Sequence, residues 1–201
     1  MALSRSWPEG EDRPAAGPVP WPVAAPGFTD PRSTDARLSG FEAFFRDEYP
    51  RLVTLLVAVT GSRPVAEELA QEALLRAHVR WDRIVRYDRP GAWVRRVALN
   101  LASHHRSRRR SEQRAFDRLG RQRPPAEPYA YADGAGPGDD FWALVRRLPP
   151  RQAAAVALHH LEDRPVAEVA AILGCAEGTA KAHLHKGRAA LARLLDLPEE
   201  T

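Results

Sequence analysis

The stretch Pro165-Val166-Ala167-Glu168-Val169-Ala170-Ala171-Ile172-Leu173-Gly174-Cys175-Ala176-Glu177-Gly178-Thr179-Ala180-Lys181-Ala182-His183-Leu184-His185-Lys186 decides how the chain is read. Val166, Val169, Ala170 and Leu173 recur at the three-and-four spacing of one helix face. Gly174 follows, where a helix end needs a left-handed residue, and a polar-faced segment resumes at Glu177. Two helices around such a turn have the layout of a helix-turn-helix, whose second helix lies in the major groove with its early residues against base edges. Thr179, Lys181, Ala182, His183 and Lys186 are then the candidates for DNA contact, with Glu177 and Gly178 beside them at the helix start. The same pattern also suits an ordinary helical hairpin with a solvated basic face. Ala176 stands where a serine cap is expected, at a cost of about 1 kcal/mol.

Working outward, the C-terminal block begins at Asp139-Asp140, whose carboxylates favour a helix N-terminus. It runs through Phe141, Leu144, Val145 and Leu148 to a break at Pro149-Pro150. Further helices are expected from Arg151 to Leu161, Pro165 to Leu173 and Glu177 to about Leu195. Upstream, residues 111–138 lose their period and gather Pro124, Pro125, Pro128, Gly134, Gly136, Pro137 and Gly138, which reads as a linker or as two domains joined by one.

A first block precedes it. Ser39-Gly40-Phe41-Glu42 has the capping-box pattern of a helix start, followed by Phe41, Phe44, Phe45, Leu52, Leu55, Leu56 and Val59 at helical spacing. Pro50 should kink or divide this helix near Tyr49. After Gly61-Ser62-Arg63-Pro64, a second helix places Ala66, Leu69, Ala70, Ala73, Leu74, Ala77 and Trp81 on one face, with Glu67 and Glu68 expected in its first turn. A third should run from about Gly91 to Arg106 with Trp93, Val94, Val97, Ala98 and Leu101 apolar. Residues 1–37, with prolines at 8, 14, 18, 20, 22, 26 and 31, read as a disordered arm; Trp7 and Trp21 are solvated there or anchor a partner. Arg-Pro-Val-Ala-Glu occurs at 63–67 and 164–168, too little for a repeat architecture. No stretch alternates at period two, so the fold class is all-α.

Composition narrows the function. The 201 residues carry a formal net charge of +4, with 30 Lys and Arg against 26 Asp and Glu. Lys181 and Lys186 are the only lysines, so the basic residues are nearly all arginine. Arginine suits flat bidentate contacts with phosphate and guanine, although its dominance over lysine can equally reflect a G+C-rich genome. The single cysteine, Cys175, excludes an internal disulfide. No segment approaches the roughly 20 apolar residues of a membrane span and no secretory signal opens the chain, so a cytoplasmic protein without membrane insertion is expected. Histidine pairs at 104 and 105, 159 and 160, and 183 and 185 lack acidic or cysteine partners at ligand spacing, so no metal is expected. No phosphate-binding glycine loop or nucleophile elbow is present, so neither catalytic residues nor cofactors are expected.

The third helix and its exit carry Trp93, Arg95, Arg96, Asn100, His104, His105, Arg106, Arg108, Arg109 and Arg110. Arginines draw phosphate, while aromatic rings and guanidinium planes stack on unpaired bases, a combination suited to single-stranded or melting DNA. Trp93 fits a helical core equally well.

With both blocks laid out, the chain resembles the extracytoplasmic-function sigma factors, the small two-domain group within the sigma-70 family. The first block is similar through Phe41-Glu42-Ala43-Phe44-Phe45, Tyr49-Pro50-Arg51-Leu52, Ala66-Glu67-Glu68-Leu69-Ala70-Gln71-Glu72-Ala73 and Trp93-Val94-Arg95-Arg96-Val97-Ala98-Leu99-Asn100-Leu101-Ala102. The second is similar through Leu148-Pro149-Pro150-Arg151-Gln152, Glu168-Val169-Ala170-Ala171-Ile172-Leu173-Gly174 and Gly178-Thr179-Ala180-Lys181. The resemblance implies region 2 at 38–110, a linker at 111–138 and a region 4 helix-turn-helix at 139–197. It further implies that Glu67, Glu68, Leu69, Gln71, Glu72 and Leu75 dock on the β′ clamp helices of core RNA polymerase, with the β flap as a second contact. Tyr87 in the loop Asp82 to Pro90, with Trp93, Arg95, Arg96, Asn100, His104, Arg106 and Arg108, would engage the melted −10 element, and Glu177 to Lys186 the double-stranded −35 element. An anti-sigma factor is a further candidate partner. The rival reading is a helix-turn-helix regulator that does not act as a sigma subunit; an enzyme acting on nucleic acid is a distant third.

Overall fold

A computed structural model describes residues 34–118 and 139–195. The expected proline-rich arm up to residue 33, the linker core at 119–138 and residues 196 and 197 lie outside the described residues. Among the described residues eight helices follow in order: α1 Thr34–Thr60, α2 Arg63–Val79, α3 Trp81–Ile84, α4 Pro90–Arg118, α5 Asp139–Val145, α6 Pro150–His160, α7 Val166–Leu173 and α8 Glu177–Leu194. Helices α1–α4 and α5–α8 correspond to the two blocks read from the sequence.

Several boundaries differ from the expected ones for identifiable reasons. α1 starts at Thr34, ahead of the Ser39 capping box, and takes in the last residues of the expected arm. It also runs unbroken through Pro50. Proline removes one backbone donor, and the packing of Leu52, Val53, Leu55 and Leu56 in the interior outweighs that loss. α2 starts at Arg63, which moves Glu67 and Glu68 out of the first turn; Glu67 instead accepts from Arg63 Nε at 2.9 Å, one turn back. Trp81 belongs to α3 and not to α2. α4 continues 12 residues past Arg106 to Arg118, shortening the expected linker. Arginine is a good helix former, and pairs four residues apart, Arg108 with Glu112 at 2.9 Å and Gln113 with Asp117 at 2.8 Å, support the extension.

Among the described residues, three apolar clusters hold the fold. The first fills α1–α4 with Leu52, Leu56, Leu74, Trp81, Ile84, Val94 and Ala98, and Trp93 and Tyr87 pack partly buried against it. The third lies within α5–α8 around Val145, Leu148, Val156 and Leu191. The second belongs to both blocks: Leu55 of α1 and Leu99 of α4 join Ala155, Leu158, Val169, Ile172 and Leu184. The two blocks, expected as domains joined by a flexible linker, are thus packed on one another. Burying two leucines across the seam contributes about 1.5–3 kcal/mol each.

Gly174 sits at the α7 C-terminus with φ +68°, the left-handed conformation anticipated from the sequence. A Cβ there would lie 2.6 Å from Arg96 Nη2, so the site rejects a side chain on two grounds. Gly178, in the first turn of α8, has open space around its Cβ position. In urea titrations Gly174→Ala is expected to lower stability by about 2 kcal/mol or more, whereas Gly178→Ala should leave it unchanged or raise it by up to about 1 kcal/mol. Equal effects would show that the turn is not under this double constraint.

Candidate nucleic-acid interface

The turn between α7 and α8 is built by a full accounting of the α7 C-terminal carbonyls, which lack partners within their own helix. The Cys175 N–H donates to Ala170 O, and the Gly174 N–H to Ala171 O. Arg96 of α4 donates through Nη2 to Ala171 O at 2.7 Å and through Nε to Ile172 O at 3.0 Å. Arg151 of α6 donates to Leu173 O. Ala176 is the N-cap of α8 with no side-chain cap bond, as its sequence implies.

Ala180, Leu184, Gly187 and Leu191 bury one face of α8. A Cβ on Gly187 would lie 2.9 Å from Val156 Cγ2, so α6 and α8 approach closely there. The opposite face is exposed: Glu177, Gly178, Thr179, Lys181, Ala182 and Lys186, with Lys181 Nζ 2.9 Å from Glu177 Oε1. His183 lies at the edge of this face and is half-buried; burial, then Arg151, then Lys186 hold its imidazole below the usual histidine range. His185 is exposed, and its spacing from Lys181, Ala182 and Gly178 sets it near the middle of the face. Sequence reasoning passed over it, although the three-and-four spacing that chose Lys181 and Ala182 selects it too.

α4 divides its candidate residues between two faces. Trp93, Asn100, His104 and Arg108 share one face; Asn100, His104 and Arg108 are exposed, and Trp93 is half-buried against the first core. Arg95, Arg96 and Arg106 point to the other side and are taken up by the second block. Arg106 Nη2 donates to Arg146 O at 2.6 Å and to Leu148 O at 2.8 Å, in the turn that follows α5. Desolvation lowers the pKa of both Arg96 and Arg106, with Arg151 adding to it for the first and Arg110 for the second.

Arg95 is 2% exposed. Its Nη1 donates to Glu48 Oε2 of α1 at 2.6 Å, and its Nε to both Glu162 oxygens in the α6–α7 turn, at 2.7 and 3.0 Å. Arg164 then joins Glu162 to Glu168, and Glu168 pairs with Arg89 ahead of α4. Six alternating charges thus start in the first block, cross the second and return to the first. Arg95 Nη2 has no hydrogen-bond partner among the described residues.

On α2, Leu69 is only 8% exposed and belongs to the first core, which corrects its place among surface-docking candidates. Glu68 and Gln71 are exposed, Glu67 and Glu72 partly so, and Leu75 and Val79 stand out at 58% and 68% exposure. Val79, one turn beyond Leu75, extends the ridge and was not singled out from the sequence. Among the described residues no group of three histidine, cysteine or acidic side chains could hold a metal ion, and no helix is long and apolar enough to cross a membrane.

Among the described residues, all helical, α8 thus presents an exposed face, α4 a basic one and α2 an acidic, apolar ridge. Residues 44–112 match the family description Sigma-70 region 2, and residues 139–191 match Sigma-70, region 4. The chain is 31% identical over 154 residues to the RNA polymerase sigma-E factor of Streptomyces avermitilis, covering 77% of this chain and 82% of that protein. It is 31% identical over 159 residues to the ECF RNA polymerase sigma factor SigM of Mycobacterium tuberculosis, covering 77% and 76%. In fold it is similar to the sigma factor RpoE of Bartonella quintana, solved in complex with the anti-sigma factor NepR, with a TM-score of 0.62 over 80% of this chain and 99% of that chain at 23% identity. The chain belongs to the extracytoplasmic-function group of the sigma-70 family. Its function is that of an alternative sigma factor, directing promoter-specific transcription initiation; a regulator built on the helix-turn-helix alone would not carry region 2.

Two histidines of region 4 give a pH dependence. Burial, then Arg188, then His159 lower the pKa of His160, whose Nε2 lies 3.4 Å from Arg188 Nε, and His183 is lowered as described. The unfolded chain therefore takes up protons near the ordinary value of 6.5 before the folded chain does. Stability should be full above that pH and decline as the pH falls below it. Melting temperatures between pH 7.5 and 5.5 check this, and His160→Gln combined with His183→Gln should flatten the decline.

Proposed function

We propose that this sigma factor docks on core RNA polymerase through the outer face of α2, reads the −35 element through α8, and engages the melted −10 element through α4. The docking residues are Glu67, Glu68, Gln71, Glu72 and Leu75, joined by Val79. The carrying observation is that ridge: apolar Leu75 and Val79 stand in solvent beyond the carboxylates of Glu67, Glu68 and Glu72, on a helix whose other face is core. Such a face calls for an apolar and basic partner, and a free-standing DNA-binding regulator has no use for it.

Glu177, Gly178, Thr179, Lys181, Ala182 and Lys186 present one outward face to a major groove, with His183 at its edge and His185 near its centre. Trp93, Asn100, His104 and Arg108 offer stacking and phosphate contacts for the opened strand, with Tyr87 at the loop before α4. Arg95, Arg96 and Arg106 join them once region 4 moves away. Core polymerase supplies the chemistry and the chain catalyses nothing itself, acting in the cytoplasm where the polymerase works. The β flap is the natural seat for region 4, and an anti-sigma factor a natural regulator, as in the RpoE complex. Residues 38–110 and 139–197 are the two working units, with the chain between them as the tether.

In transcription reconstituted with core polymerase, Leu75→Ser is expected to weaken core binding about tenfold or more, as loss of a central apolar anchor does. Failure of the intact chain to bind core or support initiation on any genomic promoter fragment would sink the reading. Lys181→Ala with His183→Ala should cut use of promoters that depend on the −35 element about tenfold while leaving core binding intact. Unchanged promoter selectivity would move the reading residues elsewhere on α8, His185 first.

A further inference from the structure

Of the basic residues where α4 leaves the first core, His105, Arg109 and Arg110 have no part in the promoter contacts above. Together with Arg106, and with Arg146 from the turn after α5, they line a cavity of about 260 Å³ that also meets the end of α1 and the start of α2. Four arginines line it and no carboxylate does. Val59, Val65 and Ala102 give it an apolar wall, and Ser62, whose hydroxyl makes no cap bond to α2, adds a polar group.

The cations are held in place. Gly61, between α1 and α2, has φ +74°, and a Cβ there would lie 2.8 Å from Arg146 Nε and 2.9 Å from its Cδ, so the Arg146 side chain rests on bare backbone. Arg106 is half-buried and, among the described residues, commits only Nη2, to the carbonyls of Arg146 and Leu148. Burial, then Arg110, lower its pKa, as expected of cations gathered without counter-charge. Farther along α4, Arg108 has Glu112; Arg109 and Arg110 pair with no acid among the described residues.

Ala102, Arg106, Arg109 and Gln113 recur at helical spacing, which sets the cavity on the side of α4 turned away from Asn100, His104 and Arg108. A strand held on that first face does not enter it. The volume falls just below the roughly 300 Å³ at which pockets for drug-sized ligands begin, so it suits a small molecule and not a polymer. Guanidinium groups clamp phosphate through paired N–H donors. One phosphate group carries roughly two negative charges, so two linked phosphates come closest to offsetting four arginines.

We propose that this cavity binds a small molecule through a diphosphate group, clamped by Arg109, Arg110 and Arg146 with Arg106 beside them. The organic part of the ligand rests against Val59 and Val65. The site needs neither core polymerase nor promoter DNA, so the free chain binds the ligand, and binding to the folded chain raises its melting temperature.

The test is isothermal titration of the full chain with pyrophosphate and with adenosine diphosphate, in about 0.15 M potassium chloride to screen loose surface attraction. Both probes should bind, and Arg109→Ala and Arg146→Ala should each weaken binding about tenfold. Arg118→Ala removes the same charge from α4 outside the cavity and should leave binding within about twofold. Circular dichroism melting checks that each variant folds; Arg109 is exposed, so its removal should not disturb the core. Neither heat nor a rise in melting temperature with either probe overturns the site. So does a loss in Arg118→Ala as large as in Arg109→Ala, which would mean attraction to net charge alone. Undiminished binding in both Arg109→Ala and Arg146→Ala places the ligand elsewhere and overturns it too. Displacement of bound adenosine diphosphate by a single-stranded oligonucleotide without a terminal phosphate would give the cavity to a nucleic-acid backbone and overturn the small-molecule assignment.

Discussion

The arrangement of this sigma factor depends on one guanidinium. Arg95, almost wholly buried, is gripped by a carboxylate from α1 and another from the α6–α7 turn, so a single side chain refers both blocks to the same point. Ion pairs of this kind often contribute little net stability, because desolvating three charges offsets most of their attraction. Their effect is on register. The apolar seam around Leu55 and Leu99 would tolerate sliding or rotation of one block on the other; a buried arginine that needs two carboxylates does not. The alternating chain of Arg164, Glu168 and Arg89 extends that constraint along the seam.

Helix ends provide the second fastening. α7 finishes with carbonyls that need donors and the turn after α5 presents two more, and α4 supplies them through Arg96 and Arg106. A guanidinium with several donors in a fixed fork suits this, and lysine would not replace it easily. Gly174 is tied into the same contact, since its missing side chain gives Arg96 room beside the turn that presents the recognition helix. The geometry of the DNA-reading motif and the packing of the blocks therefore share residues, and a change at one is felt at the other.

Much of the fold was legible in the sequence. Leu52, Leu56, Ala66, Ala70, Val94 and Ala98 recur at helical spacing and are among the buried residues of the first core. Gly174, with its left-handed backbone, was legible from the apolar face that ends just before it. The expected ends of α1 and α4 fell short, because local stop and start signals, the Ser39 box and the arginine run, were overridden by packing and by pairs one turn apart. Leu69 entered the docking set through the family resemblance, although its spacing with Ala66, Ala70 and Ala73 already put it on the apolar face, and in the structure it faces inward.

What the sequence determined by itself was the set of helices, their apolar faces and the helix-turn-helix, which follow from spacing within twenty residues or so, and the family, which follows from the resemblance of its motifs. What only the tertiary structure decided was the use of the α4 arginines. Arg95, Arg96, Arg106 and Arg108 read alike in one dimension, as a basic run suited to DNA. In three dimensions Arg108 is exposed and the other three fasten the second block. That division depends on contacts between residues 40 to 76 positions apart, and on which helix ends arrive with unmatched carbonyls, neither of which local periodicity encodes.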